Sequence, residues 1–325
     1  MNGVHKDEGV TPKAASAVVA RGLRRDFGSV PAVRGLSLEV ARGELLGLVG
    51  PDGAGKTTTM RMLAGLVRPT AGTVEVLGVD PFGYDGGRVR EVLGLVPQEN
   101  SLYGDLSVGE NLTFFGELFG LSRAVFAERR ARLFEITRLG PFVDRRASAL
   151  SGGMYKKLAL ACALLHQPRV LLLDEPTNGV DPVSRRELWQ LLYELVSRGM
   201  SIVLSTPSMD EAVRCHRVAL VHEGRILLQG APQALLSGFD CPVWELRGGV
   251  RDAVFARLEG APGVLASSPA GARVRVVVEP DAQAAAAAHL SGLGVELVPA
   301  RPDFEDLFLA ALARAQRADP VEGSR

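Results

Sequence analysis

Eight consecutive residues, Gly50-Pro51-Asp52-Gly53-Ala54-Gly55-Lys56-Thr57, match the pattern G-x-x-x-x-G-K-[ST]. Glycines at this spacing let the backbone curl until successive N–H groups face inward at phosphate oxygens. A helix starting at the end of the loop adds the positive end of its dipole. Lys56 supplies a point charge for β- and γ-phosphates, and the Thr57 hydroxyl is a hard oxygen donor for Mg²⁺. The pattern is a phosphate loop only where a strand precedes it and a helix follows. Leu45 to Val49 reads as a buried strand and Thr57 to Leu66 as a helix, so the context is right. The loop reads as a nucleotide site.

A second stretch, Val170-Leu171-Leu172-Leu173-Asp174-Glu175, runs an apolar strand into two adjacent carboxylates, which a purely structural strand has little reason to place there. Asp174 would hold Mg²⁺ through water, and Glu175, one residue past the strand end, can polarise an attacking water as general base. A third, Leu150-Ser151-Gly152-Gly153-Met154, opens a helix over Tyr155 to Leu165 and offers a second anion-binding N-terminus. One chain with one nucleotide-binding lysine has no evident use for two such helix ends. A head-to-tail dimer does, because each Ser-Gly-Gly can close on the γ-phosphate held by the other subunit.

The elements that must position these groups follow from the apolar patterning. Short apolar runs between Ala17 and Val49 predict strands; Thr73 to Leu77, Leu93 to Val96, Val170 to Leu173 and Ile202 to Ser205 predict more. Ser107-Val108-Gly109-Glu110 has capping-box form and opens a helix carrying Leu112, Phe115 and Phe119. Strand–helix alternation argues for an α/β core with a mainly parallel sheet, and the helix-rich stretch from Gln98 to Val170 for an inserted helical subdomain. After Gly230 the character changes. Pro242–Leu246, Arg251–Leu258, Gly263–Ser267, Arg273–Val278, Ala282–Leu293 and Val295–Val298 read as β-α-β-β-α-β, a ferredoxin-like order, followed by a last helix over Phe304 to Ala315.

Composition narrows the function classes. Of 325 residues, 46% are hydrophobic and 23% charged, enough to bury a sizeable core. Lys+Arg and Asp+Glu number 37 each, so the chain carries no electrostatic footprint for nucleic acid. Cys162, Cys215 and Cys241 form neither a disulfide framework nor a C-x-x-C pair, which fits a reducing cytosol. No signal peptide is expected at the polar, frayed N-terminus, and no apolar run reaches bilayer length, so any membrane role must come through a partner.

From about Val18 to Gly230 these residues resemble the ATP-binding subunits of ABC transporters. By that resemblance Gly50 to Thr58 is the Walker A motif, so that Asp52 and Thr58 join the nucleotide contacts. Asp174 and Glu175 end the Walker B, and Ser151 to Met154 is the signature, with Met where Gln is commonest. Gln98, in Val96-Pro97-Gln98-Glu99, falls at the Q-loop, which touches Mg²⁺ and senses the membrane partner. Asp181 falls at the D-loop of the dimer interface. Phe27, in Arg25-Asp26-Phe27-Gly28, falls where an aromatic ring stacks on adenine, core packing being the alternative. The resemblance implies a P-loop ABC ATPase core over 16–236, with a helical subdomain at about 99–168, a small C-terminal α+β accessory domain over 237–325, and a disordered segment 1–15. It implies ATP and Mg²⁺, with Glu175, Lys56 and Gln98 catalytic and Thr57, Gln98 and Asp174 about the metal. It also implies a homodimer, or a heterodimer with another ATPase subunit, docked on an integral-membrane permease from the cytoplasmic side. Thr206-Pro207-Ser208-Met209-Asp210-Glu211-Ala212, the Met154 variant and the tail Phe304 to Leu309 look like the drug-export branch (daunorubicin-resistance-like), which serves ABC-2-type permeases and moves drugs or lipid-like cargo. Ser101 to Leu106 is a candidate docking patch, with helical-subdomain core as its alternative.

One departure matters. Most ABC ATPases place His after Ser-Thr, where this chain has Pro207; proline offers no side-chain donor or acceptor and no N–H. Either Glu175 suffices and hydrolysis is slower, or the site is partly degenerate and pairs with a better one; His216 reads as helix-end polarity, not a replacement. Two other functions stand beside export: a non-transport ABC ATPase, which would bring paired cassettes, heptad arms or zinc cysteines, and a nucleotide-binding regulator without turnover.

Overall fold

The computed structural model describes residues 16–99, 101–291 and 294–318. The polar segment 1–15, expected to fray, and Gly292 and Leu293, expected to end a helix, lie outside them. The described residues fall into two compact units, one of 16–45 with 57–204 and the other of 46–56 with 205 onward.

Two twelve-residue strands, β1 (Ser16–Phe27) and β2 (Val30–Ala41), pair antiparallel from Ser16↔Ala41 to Phe27↔Val30. Leu36, Leu38 and Val40 form a buried side of β2 at period two, and Val33 is buried three residues before them, across an irregular stretch of the pairing with β1. The glycine loop then lies between β3 (Leu45–Val49), buried at all five positions, and α1 (Lys56–Leu63), as its sequence context requires. A strand buried on both faces reads as a continuous apolar run, the mark of a parallel-sheet interior. β4 (Ala71–Val76) adds to the free edge of β1, giving the order β2-β1-β4. Gly72 makes that pairing possible: at φ +88° it sits where a Cβ would come within 2.4 Å of the Gly22 carbonyl oxygen.

The first unit continues through α2 (Gly87–Val92) into β5 (Leu93–Val96) and then a run of helices, α3 (Val108–Leu118), α4 (Arg123–Thr137) and α5 (Gly152–Leu164). The capping box at α3 is formed in full: Ser107 Oγ accepts from Glu110 N at 3.2 Å, and Glu110 Oε2 accepts from Ser107 N at 2.7 Å. α5 starts three residues earlier than predicted, so both signature glycines lie in its first turn. β6 (Val170–Asp174), buried throughout, pairs parallel with β5 in the register Leu93↔Val170 to Val96↔Leu173. α6 (Pro182–Ser197) and β7 (Ser201–Thr206) complete this part.

In the second unit, α7 (Met209–Ala212) leads to β8 (Arg217–His222), which pairs parallel with β3, and to β9 (Arg225–Gly230), which returns antiparallel beside β8. After α8 (Pro232–Ser237) come β10 (Val243–Gly248), α9 (Arg251–Leu258), β11 (Val264–Ala270), β12 (Arg273–Val278), α10 (Gln283–Leu290), β13 (Val295–Ala300) and α11 (Phe304–Ala318). The sheet order is β11-β12-β10-β13 with every pairing antiparallel, the split β-α-β arrangement read from the sequence. Alternation along β12 serves two cores. Val274, Val276 and Val278 pack with Val254, Leu258 and Leu290 of α9 and α10, whereas Val277 faces Ala310 of α11. α11 also packs against α7 and β9, and the His222 and Phe308 rings meet edge to face at 6.1 Å.

Candidate nucleotide site

The loop after β3 is built by close approach. A Cβ on Gly50 would fall 2.1 Å from the Val221 carbonyl oxygen, and Gly53 and Gly55 hold φ of +78° and +96°. Gly50 N donates to the Thr206 carbonyl at 3.2 Å, and Gly224 N, in the turn between β8 and β9, donates to the Ala54 carbonyl at 2.9 Å. The loop is therefore pinned at its start and its middle. Lys56 is 3% exposed, and its Nζ curls back to donate to the carbonyls of Gly50 and Pro51, each at 2.9 Å. Asp52, largely exposed, lies 3.9 Å from the same ammonium. Phosphate oxygens are stronger acceptors than neutral carbonyls, so a triphosphate entering this loop would draw Nζ to itself.

At the far end of β6, Asp174 and Glu175 are both 3% exposed. Glu175 holds φ +49°, a left-handed backbone that a non-glycine residue adopts at a cost of about 1–2 kcal/mol. Such strain is found where the surroundings over-determine a side chain. Here Gln98 Nε2 donates to Glu175 Oε2 at 2.9 Å and Asn178 Nδ2 donates to the same oxygen at 3.3 Å. Gln98 and the strand-end Glu175, 77 residues apart in sequence, are brought together by this bond. With the Gln98 amide nitrogen committed to Glu175, its oxygen is the atom it could offer a cation. Thr57, Asp174 and Gln98 each carry an oxygen donor of the hard kind that Mg²⁺ takes.

One residue of this cluster was not singled out from the sequence. Lys156, in α5, donates from Nζ to the Gln98 carbonyl at 3.1 Å. Burial lowers its pKa, and the charges of Asp174 and Glu175 act to raise it. It ties the backbone of the glutamine that in turn orients Glu175. The doubled lysine after Tyr155 was the only available signal, and it reads equally as a solvated helix face.

Ser151, Gly152 and Gly153 open α5, and the two glycines have a packing reason. Ser151 caps α5, its Oγ accepting from Met154 N at 3.4 Å. A Cβ on Gly153 would meet Ser184 Cβ at 2.3 Å, and one on Gly152 the Gly179 carbonyl oxygen at 2.9 Å. These glycines let the start of α5 lie directly on the start of α6. Asp181 caps α6: Oδ1 accepts from Val183 N and Ser184 N at 3.1 and 3.0 Å. Hydrogen bonds from the Ser184 side chain and from these N–H groups hold its carboxyl below the usual carboxylate range. Phe27 is 47% exposed with the Arg25 guanidinium 4.7 Å from its ring centre, which removes core packing as the explanation. Pro207 is exposed after β7; beside it, Thr206 Oγ1 donates to the buried Glu211 carboxylate at 2.7 Å. His216 is exposed beyond α7, as its reading as helix-end polarity requires.

The Ser101–Leu106 patch divides. Leu102 is half-buried, its N–H donating to Tyr155 Oη at 3.0 Å, and Tyr103 is 51% exposed. Tyr103 begins an aromatic row with Phe114, Phe115, Phe119 and His166, successive ring centres lying 4.3 to 6.4 Å apart. Burial lowers the His166 pKa. Among the described residues no helix is long and apolar enough to cross a membrane, and no group of three or more His, Cys, Asp or Glu is placed to hold a metal unaided.

Residues 33–178 match the ABC transporter family. Over 315 residues the chain is 42% identical to the probable multidrug ABC transporter ATP-binding protein YbhF of Escherichia coli (strain K12), covering 95% of this chain and 54% of that protein. It thus spans about half the length of that relative. A match over nearly the whole of both chains, 41% identical across 90% of this one and 95% of the other, is to the Nod factor export ATP-binding protein I of Paraburkholderia xenovorans (strain LB400). Of solved structures, CbiO1 of Clostridium perfringens, part of the ABC transporter complex CbiONQ, superposes with a TM-score of 0.64 at 28% identity, over 69% of this chain and 92% of that one. An ATP-binding subunit of an ABC transporter gives 0.62, also at 28% identity, over 68% and 92%. Matched so fully and at this identity, the chain belongs to the ABC transporter family, as an ATP-binding subunit related to the multidrug and Nod-factor export ATP-binding proteins.

Proposed function

We propose that this chain hydrolyses ATP as a dimer on the cytoplasmic face of a membrane and couples the closure to efflux through a separate ABC-2-type permease. The observation that carries the reading is the buried Glu175 carboxylate held by the Gln98 and Asn178 amides. Two donors on one oxygen fix the plane of the carboxylate, as a general base aimed at one water requires. Lys56 and the loop N–H groups cradle the triphosphate, Thr58 and Asp52 join the nucleotide contacts, and Phe27 stacks on adenine. Thr57 and Asp174, with the Gln98 oxygen, would hold Mg²⁺, which when bound would neutralise charge across the phosphates. Glu175 takes the proton of the attacking water. Ser151, Gly152 and Gly153 of one subunit cap the γ-phosphate bound by its twin, with Asp181 lining the interface; a different ATPase subunit in the twin's place is the variant that Pro207 invites.

In this reading residues 16–236 are the motor and 237–325 an accessory domain. The aromatic row beginning at Tyr103 lies just after Gln98 and offers an apolar seat for a helix of the permease. The relatives, one named for a multidrug ABC transporter and one for Nod factor export, support a drug-like or lipid-like cargo. The test has two arms. Purified protein should hydrolyse ATP, and Lys56→Ala should abolish this; a polytopic partner should co-purify and be lost in Tyr103→Asp. ATP binding with neither hydrolysis nor dimerisation would instead favour the regulator that Pro207 suggests, and hydrolysis without any membrane partner a non-transport ATPase.

A further inference from the structure

A cavity of about 360 Å³ opens in the first unit where α4 meets the C-terminal ends of α5 and α6. Its size falls in the range of small-molecule sites. Leu133 and Ile136 of α4, Leu164 of α5 and Leu195 of α6 make an apolar floor. Four arginines rim it: Arg129 and Arg132 from α4, Arg169 just before β6, and Arg198 just after α6. No acidic side chain lines it.

Cations are ordinary at helix C-termini, where they offset the dipole, and two of the four are explained so. Arg129 Nη1 donates to the Leu165 carbonyl at 2.7 Å, and Arg198 pairs with Glu194. Arg132 and Arg169 are different. Neither side chain has a hydrogen bond or ion pair among the described residues, and neither lies at a helix end. Guanidinium groups keep their charge at every physiological pH and present a planar fork that fits a carboxylate or phosphate with two parallel bonds. An apolar floor beneath a rim of one sign of charge matches a molecule with an anionic head and a hydrocarbon body.

We propose that this cavity binds an anionic amphiphile, a single carboxylate or phosphate head on an aliphatic chain. The apolar chain lies on Leu133, Ile136, Leu164 and Leu195, and the head lies between Arg132 and Arg169. The site is built wholly from α4, α5, α6 and the approaches to β6 and β7.

Calorimetric titration of the full chain tests this with four probes, kept below micelle-forming concentration: dodecanoate, dodecyl phosphate, dodecanol and inorganic phosphate. Saturable binding of both dodecyl anions is expected, with none by dodecanol or inorganic phosphate over the same range. Arg132→Gln with Arg169→Gln, both exposed positions, should weaken the anions by about 10- to 100-fold, the loss of charge-assisted hydrogen bonds. Ile136→Glu, which sets a like charge on the floor, should abolish binding while leaving ATP binding and circular dichroism unchanged. The proposal is overturned if neither anion saturates, if the double variant binds as tightly as the parent, or if dodecanol or inorganic phosphate binds equally well. An acidic amphipathic peptide that bound the rim where both dodecyl anions failed would also overturn it, in favour of a protein partner.

Discussion

Glu175→Gln isolates the proton acceptor from everything else the glutamate does. Glu175 Oε2 accepts from Gln98 at 2.9 Å and from Asn178 at 3.3 Å, and a glutamine oxygen in the same place can accept both. The left-handed backbone at this position is unchanged by the swap, and side-chain volume is nearly conserved. Lys156 loses one of the two carboxylates that favour its charge and keeps Asp174. Folding and nucleotide binding should therefore survive. What is lost is a carboxylate basic enough to take a proton from water, and removal of a positioned base costs about 10²- to 10⁴-fold, or ~3–5 kcal/mol of barrier. Single-turnover phosphate release should fall by that factor. Light scattering with Mg-ATP should show a dimer that persists, because closure is no longer followed by hydrolysis. A variant that releases phosphate at the parent rate would show that the base is elsewhere, and one that no longer binds ATP would show that Glu175 serves the structure of the loop.

Pro207→His should raise turnover by ~10- to 100-fold, the worth of one hydrogen bond to a charged group, since position 207 follows the residue whose carbonyl accepts from Gly50 N; an unchanged rate in steady-state assays would mean the missing imidazole is not limiting. Gly153→Ala should cost about 1–3 kcal/mol in urea denaturation, because the new Cβ meets Ser184 at 2.3 Å, and adding Ser184→Gly should restore most of it. No recovery in the double variant would locate the clash elsewhere. Burial, then the neighbouring Asp303, Asp306 and Asp210, raise the Glu305 pKa. A raised carboxyl favours the protonated form in the fold, so its penalty grows as pH climbs through the carboxylate range. Glu305→Gln should accordingly melt higher than the parent at neutral pH and equally below that range; a gain that persists in acid would mean charge is not its cause.

Much of the fold was legible because it is written in local signals. The phosphate loop carries its strand, glycines and helix within a single stretch; Ser107 and Glu110 announce a cap that needs only four residues; and β12 and α9 run over the residues their patterns predict. What stayed hidden depends on residues distant in sequence. Lys156 reaches a carbonyl 58 positions away, and nothing about a lysine pair distinguishes that from a solvated helix. In sequence the Gly-Gly pair reads as an opening for phosphate, and its second reason, the crowding of Ser184 against Gly153, exists only once α5 and α6 have packed. Asp181 likewise carries a capping duty that its position in the motif does not reveal. Sequence named the chemistry of each group, and tertiary contact decided which partner restrains it.

The turn between β8 and β9 touches two neighbours at once: Gly224 bonds Ala54 in the nucleotide loop, and His222 rests against Phe308 of the last helix. A lever with that arrangement transmits in both directions. Trimming the chain after α8 would remove the far support of the hairpin, and the loop braced by Gly224 would be expected to loosen with it. The last helix is in this sense a counterweight to the glycine loop, which it reaches only through the hairpin.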